Sequence, residues 1–407
     1  MSKIRFKGFN TSLERKQIGD ITTSFSGGTP KSSNKSYYEG NIPFIRSGEV
    51  KSKQTELFIS DEALLNSSAK MVEKGDILYA LYGATSGEVA ISQINGAINQ
   101  AILAIKPNSE YSSEFIMNYL KKEKNNILEK YLQGGQGNLS AAIVKSIELN
   151  LPSLAEQSAI GLLFRTLDGL LASYKDNLAN YQSLKATMLS KMFPKAGQTV
   201  PEIRLEGFEG EWEKTTLEKS TDRVKSYSLS RDVETNQDTG LKYIHYGDIH
   251  LGKVSMIDDG NSIPYIKTDT KLSEFLQQGD LIFADASEDY KGIAEVAVVV
   301  TVLSEKILAG LHTIAVRPQS IFDSIFLYYM FKTQTFRKYG YKVGTGMKVF
   351  GISPSNLMKY EFYYPDKKEQ QAIGAYFSNL DNLINSHQEK ITQLEILKKK
   401  LLQDMFI

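Results

Sequence analysis

EQSAIGLLFRTLD at residues 156–168 and EQQAIGAYFSNLD at residues 369–381 share eight of thirteen letters across 213 residues. A repeat at this distance decides the fold, and further echoes run along the rest of the chain. IRFKGF (4–9) returns as IRLEGF (203–208), and KGDILYA (74–80) returns as QGDLIFA (278–284). AIKP (104–107) returns as AVRP (315–318), and LKATMLSKMF (184–193) returns as LKKKLLQDMF (397–406). The offset grows from 199 to 213 along the copy and stays constant between each EQ and its closing MF. Two copies of about 200 residues predict a pseudo-two-fold molecule, equivalent to a homodimer fused into one chain. Because the second copy closes on the same letters as the first, a circular arrangement with neighbouring ends is expected.

Each copy reads in two parts. Residues 1–150 and 199–363 carry short β-rich runs between turn signals, as in mixed α/β domains. Residues 151–198 and 364–407 each read as a long helix. SLAE (153–156) and DKKE (366–369) follow a proline and have capping-box spacing. A seven-residue step picks out Ile160, Leu167, Tyr174, Tyr181 and Met188 in the first helix, and Ile373, Leu380, His387, Leu394 and Leu401 in the second. Five unbroken heptads predict a coiled coil, and pseudo-two-fold symmetry makes it antiparallel. The expected pairs have numbers summing to about 561: Tyr174 with His387, Ile160 with Leu401, and Met188 with Ile373. The alternative is two separate amphipathic core helices. Their length of ~55 Å, at ~1.5 Å per residue, exceeds what a small domain needs to cover its core. The fold class expected is α+β, with two pseudo-two-fold-related mixed α/β domains joined by an antiparallel coiled coil.

Composition narrows the function. The chain has 407 residues, no cysteine, and 48 Lys+Arg against 47 Asp+Glu. Disulfides, thiolate zinc sites and a cysteine nucleophile are therefore excluded. No apolar run reaches the roughly 18 residues of a membrane span, and MSKIRFKGFN lacks a signal-peptide core, so a cytoplasmic protein without membrane contact is expected. Residues 1–150 hold 18 basic and 15 acidic side chains, and residues 199–363 hold 19 and 23. Neither segment is basic as a whole, so a nucleic-acid footprint must be a local stripe.

Taken together and in this order, the duplicated features resemble the specificity subunit of type I restriction–modification enzymes over essentially the full length. They are SGGTPKSSNKSYYEGNIPFIRSGEV (26–50), KGDILYALYGATSGEVA (74–90), GDLIFADASEDYKG (279–292) and the P-x-x-x-E-Q-x-A-I-G helix starts at Pro152 and Pro365. The resemblance implies two target-recognition domains, each reading one half of a split sequence in double-stranded DNA. It implies a coiled coil that sets the distance between the halves. Two modification subunits that methylate adenine, and motor–nuclease restriction subunits, would dock on the conserved region. S-adenosylmethionine, Mg²⁺ and ATP would belong to those partners and not to this chain.

Candidate DNA contacts follow from residue chemistry. Residues 324–360 contain six basic side chains, among them Arg337, Lys342 and Lys348, and no acid. The equivalent stretch of the first copy places Lys121, Lys122, Lys124 and Lys130 before the glycine-rich QGGQGNLS (133–140). Lysines attract phosphates without regard to sequence, and a glycine-rich loop lets the backbone come close to DNA. Base reading needs paired donors and acceptors. The first copy offers Arg46, Tyr82, Thr85, Ser86, Gln133, Gln136 and Asn138, with Lys31 and Lys35 as further candidate DNA contacts. The second offers Tyr246, Asp285, Ser287, Glu288 and Lys291. A surface or turn role is the competing reading for each.

Enzyme readings are weaker. Asp280, Asp285, Asp289 and Lys291 could be read as a Mg²⁺-dependent nuclease constellation, but the first copy has only Glu88 in the equivalent loop. GTGMK (344–348) is too short for a phosphate loop. The four histidines, His245, His250, His312 and His387, are scattered and predict no metal site. The expectation is therefore a non-catalytic DNA-recognition subunit, the rivals being that nuclease and a protein-only coiled-coil adaptor.

Overall fold

The computed structural model describes residues 4–131, 138–258, 263–287, 293–346 and 350–406. The chain divides into two compact units, Met1–Asp176 with Gln388–Ile407, and Asn177–His387. Each unit takes most of its residues from one repeat and its last helical stretch from the other.

The first unit holds a four-stranded sheet in the order Thr22–Ser26, Ile102–Pro107, Ile77–Ala80, Val89–Ile91. All its pairings are antiparallel. A second sheet has the order Phe58–Ile59, Ile42–Ile45, Gly96–Ile98, Lys70–Val72, and here Ile42–Ile45 runs parallel to Gly96–Ile98. The second unit repeats both. Its first sheet runs Thr221–Val224, Thr313–Pro318, Leu281–Ala284, Val296–Val299, with Met256–Ile257 added at the edge. Leu241–Ile244 runs parallel to Lys306–Ala309 in its second sheet. The central strands Ile77–Ala80 and Leu281–Ala284 are buried on both faces, so they read as continuous apolar runs and not as alternation.

The two long helices span Leu154–Lys191 and Lys367–Met405. In the first unit Lys175 pairs with Glu395 at 2.7 Å and Asp168 pairs with Lys398. In the second unit Lys185 pairs with Asp381, and the Tyr181 ring meets the His387 ring at 5.1 Å. Both units therefore hold an antiparallel helix pair. The register differs from the expected one. The numbers of these pairs sum to 566–570, about seven more than 561, and within the second unit His387 meets Tyr181. A heptad pattern is unchanged by a shift of seven residues, so periodicity alone fixes the register only to within one heptad.

Contacts at the helix ends select among those registers. Phe406, from the second helix, packs on Phe115 at 4.9 Å and Phe164 at 5.8 Å in the first unit. Its counterpart Phe193, from the first helix, packs on Phe326 at 5.5 Å and Phe377 at 5.9 Å in the second. In each unit the start of one repeat meets the end of a long helix. The backbone N–H of Ile4 donates to Asp404 O, and that of Ile203 donates to Lys191 O.

The repeated thirteen letters are the docking surface of each unit's helix. Glu156 and Glu369 are buried and receive bidentate hydrogen bonds from Arg5 and Arg204 of the repeated IR pairs. Gln157 accepts from the backbone N–H of Ser112 and donates to Pro152 O, while Gln370 accepts from Asp323 N–H and donates to Pro365 O. Gly161 and Gly374 leave room for the neighbouring helix start. A Cβ at Gly161 would lie 2.8 Å from Glu114 Cβ, and one at Gly374 would lie 3.2 Å from Asp323 Oδ1. Phe164 and Phe377 receive the partner helix's terminal phenylalanine, and Asp168 and Asp381 receive its lysine.

Asp323 also caps the helix Ser324–Phe331 by accepting from Phe326 N–H at 2.8 Å. Asp323→Ala is expected to lower the stability of the second unit by about 1 kcal/mol, read as a lower urea midpoint at constant slope.

Candidate nucleic-acid interface

Sequence-separated turns meet at the strand ends of each unit. In the first unit Tyr82 forms an isolated bridge with Asn138, and Leu139 N–H donates to Leu81 O at 2.9 Å. Ser26, Leu81, Tyr82, Asn138 and Ser140 line an open cleft of 440 Å³ there. Tyr82 and Asn138, two of the expected base-reading residues, are thus both exposed and adjacent. Thr85 is half-buried and its hydroxyl donates to Tyr82 O at 3.4 Å, holding the turn. Lys31 and Lys35 are exposed on the turn that precedes Ile42–Ile45. Gln133 and Gln136 lie outside the described residues.

Two expectations for the first unit are corrected. Ser86 is buried and donates to Leu81 O at 3.1 Å, so it shapes the loop from inside. Arg46 is partly exposed, but its guanidinium is held by Glu49 at 3.1 Å and by Glu56 at 2.6 Å. Burial pushes the Glu49 carboxyl up, yet the Arg46 guanidinium and the N–H groups of Glu56 and Arg46 outweigh it and hold the group down at about 2. Arg46 is committed to this network, because any base contact would have to compete with two carboxylates.

The second unit builds the corresponding turn from different side chains. His245 stands where the first unit has Arg46, and Asp248 accepts from His245 N–H as Glu49 does from Arg46 N–H. Burial, followed by the nearby Arg231, pushes the His245 imidazole down and favours its neutral form. Tyr246 is half-buried and meets His312 edge-on, with ring centres 5.5 Å apart at 87°. Asp285 lies 3.1 Å from His312 Nδ1, and burial pushes its carboxyl up while His312 pulls it down. Tyr246 and Asp285 are therefore brought together as expected residues, around a histidine that sequence reading had set aside.

Three further expectations change. Ser287 is fully buried, with its hydroxyl 3.2 Å from His250 Nδ1, and cannot face a base without rearrangement. Arg337 is buried, donates to Ile293 O at 3.1 Å and pairs with Glu295. Lys332 pairs with the same carboxylate. One glutamate from a distant strand turn therefore engages two of the six basic side chains of the acid-free stretch. Lys342 stays exposed in the last turn of Gln334–Val343, beside Lys338, Lys195 and Lys214 in a cleft of 520 Å³. Glu288, Lys291 and Lys348 lie outside the described residues.

The nuclease constellation loses its first member. Asp280 is fully buried and bound bidentately by Arg317, with both contacts at 2.8 Å, and Asp76 meets Lys106 at 3.2 Å in the first unit. The repeated GD is thus a strand-start ion pair. Among the described residues no group of three or more metal-ligating side chains converges, and no helix is long and apolar enough to cross a membrane.

Comparisons with known proteins agree with one another. A family model described as the type I restriction modification DNA specificity domain matches residues 10–206 and 229–396. The chain is 20% identical over 395 residues to the type I restriction enzyme MjaVIII specificity subunit of Methanocaldococcus jannaschii, covering 95% of this chain and 90% of that one. It is 30% identical over 150 residues to the HindI specificity subunit of Haemophilus influenzae, covering 34% of this chain and 32% of that one. The crystal structure of a type I restriction–modification S subunit from M. genitalium matches with a TM-score of 0.64 at 16% identity, covering 100% and 99% of the two chains.

Proposed function

The chain belongs to the family of type I restriction–modification DNA specificity subunits, and from that premise we propose that each unit reads a different half of a bipartite duplex target. The chain is the non-catalytic, sequence-recognising member of its complex. One observation carries the proposal of unlike halves. The same pair of sheets presents Tyr82 and Asn138 in one unit, and Tyr246, Asp285 and His312 in the other. Similar frames with different donors and acceptors select different bases. Exposed Lys31, Lys35 and Lys342 would add phosphate contacts that position the protein without specifying sequence.

The partners are restriction–modification subunits and DNA. The finer reading is that two copies of one modification subunit dock along the helices. Exposed leucines support it, because Leu170 and Leu184 of the first helix recur as Leu383 and Leu397 of the second. Exposed leucines at equivalent positions of the two helices suit two equal partners. S-adenosylmethionine would bind those modification subunits, and Mg²⁺ and ATP would serve the motor–nuclease subunits. A cytoplasmic location suits such a complex.

Selection from a randomised duplex library, followed by sequencing, tests the reading. Exchanging residues 1–150 for another family member's recognition domain is expected to change one half of the selected motif and leave the other intact. Both halves changing together would refute the division. A protein-only adaptor would show no binding to duplex DNA that weakens with salt.

A further inference from the structure

Among the described residues only Ala294 and His312 combine a side chain with a positive φ, at 56° and 55°. A left-handed backbone at a non-glycine residue persists only where the surroundings over-determine it, and such residues cluster at functional sites. The turn Gly310–His312 is tied on several sides. Leu311 N–H donates to Tyr243 Oη at 2.7 Å, and Leu311 O accepts from Tyr246 N–H at 3.3 Å. Thr313 bonds back to Gly310 O through its N–H and its hydroxyl. His312 O accepts from Asp285 N–H at 3.0 Å. Gly310 makes the turn possible, since a Cβ there would fall 2.3 Å from Ile244 O.

All this restraint holds up a polar side chain at the surface. The His312 ring is 53% exposed, and its side-chain partners among the described residues are Asp285 at Nδ1 and the edge-on Tyr246 ring. The first unit has the same backbone bond, Leu81 N–H to Ala101 O at 2.8 Å, but carries only a methyl group at that position. The device is therefore particular to one reader and not needed by the fold.

A neutral His312 ring whose Nδ1–H donates to the Asp285 carboxylate would keep Nε2 as an acceptor. In a major groove the donors such an atom can meet are the exocyclic amines of adenine and cytosine. We propose that His312 reads one base of the second half-site, its Nε2 accepting a hydrogen bond from an exocyclic base amine, with Asp285 and Tyr246 as positioning residues. This deepens the reading of the chain as a bipartite DNA reader and rests on it.

The test uses the full chain and library selection with three proteins: wild type, His312→Gly and Asp285→Asn. Glycine suits the left-handed backbone, so the His312→Gly variant is expected to fold with an unchanged or raised melting temperature. It should keep the first half-site and lose base preference at one position of the second, by roughly tenfold in relative affinity. Asp285→Asn should weaken preference at that same position only. Replacing the base there with an analogue lacking its exocyclic amine should weaken wild type about tenfold and leave His312→Gly unaffected. An unaltered motif in His312→Gly, or a loss spread over the whole half-site, overturns the assignment of His312 while leaving the bipartite reading intact. A wild type that selects no motif overturns both.

Discussion

Glu369→Ala is expected to lower the stability of the second unit by roughly 3 kcal/mol, the low end of the range for breaking a buried ion pair. The Glu369 side chain is 0% exposed and its partner Arg204 is 19% exposed, so removing the carboxylate strands a guanidinium that water reaches only in part. Arg204 also donates to Gly210 O and Glu209 O, which holds it in place and prevents escape to solvent. Urea denaturation reads the change. The double variant Glu369→Leu with Arg204→Met should recover most of the loss, because an apolar pair of similar size leaves no charge behind. A Glu369→Ala loss below 1 kcal/mol would mean that the pair is solvated and that the repeated Glu serves another purpose.

Lengthening both helices by one heptad is expected to have the larger functional effect. Seven residues inserted after Asp176 and seven after His387 fall where the two units divide, so the pairs within each unit keep their partners. Each insert adds ~10 Å of helix, close to the rise of three base pairs. If the helices set the distance between half-sites, the selected motif should keep its bases and lengthen its spacer by about three base pairs. Affinity for the original target should fall by roughly a hundredfold or more, since one half can then bind only without specificity. A constant spacer with altered base preference would show that the helices do not act as the spacer.

The helices, their antiparallel sense and the two-domain plan were legible because the information is local and written twice. The register was not. Heptads repeat every seven residues, and the choice among registers is made by Phe193 and Phe406 entering aromatic pockets formed far away in sequence. The same limit governed the interface. Arg337 sits in a stretch without acids, yet Glu295 reaches it from another element, and Arg46 meets Glu56 in the same way. Ser86 and Ser287 looked like loop residues but point inward, because strand register decides which side of a turn is buried. His312 carried no pattern at all. Its interest comes from a backbone angle imposed by Tyr243, Asp285 and Thr313, and nothing in a lone histidine between two turns announces that.

The Arg–Glu pair, the glutamine and the glycine of each repeat have a consequence for inheritance. They form a standard socket at the borders of a recognition domain, with Arg5 at its start and Glu156 and Gln157 just past its end. Any incoming domain that brings its own arginine and a helix start small enough to clear Gly161 can seat on the same helix. Novelty in what is read can therefore spread by exchange of whole segments between genes, while the helices that receive them stay the same.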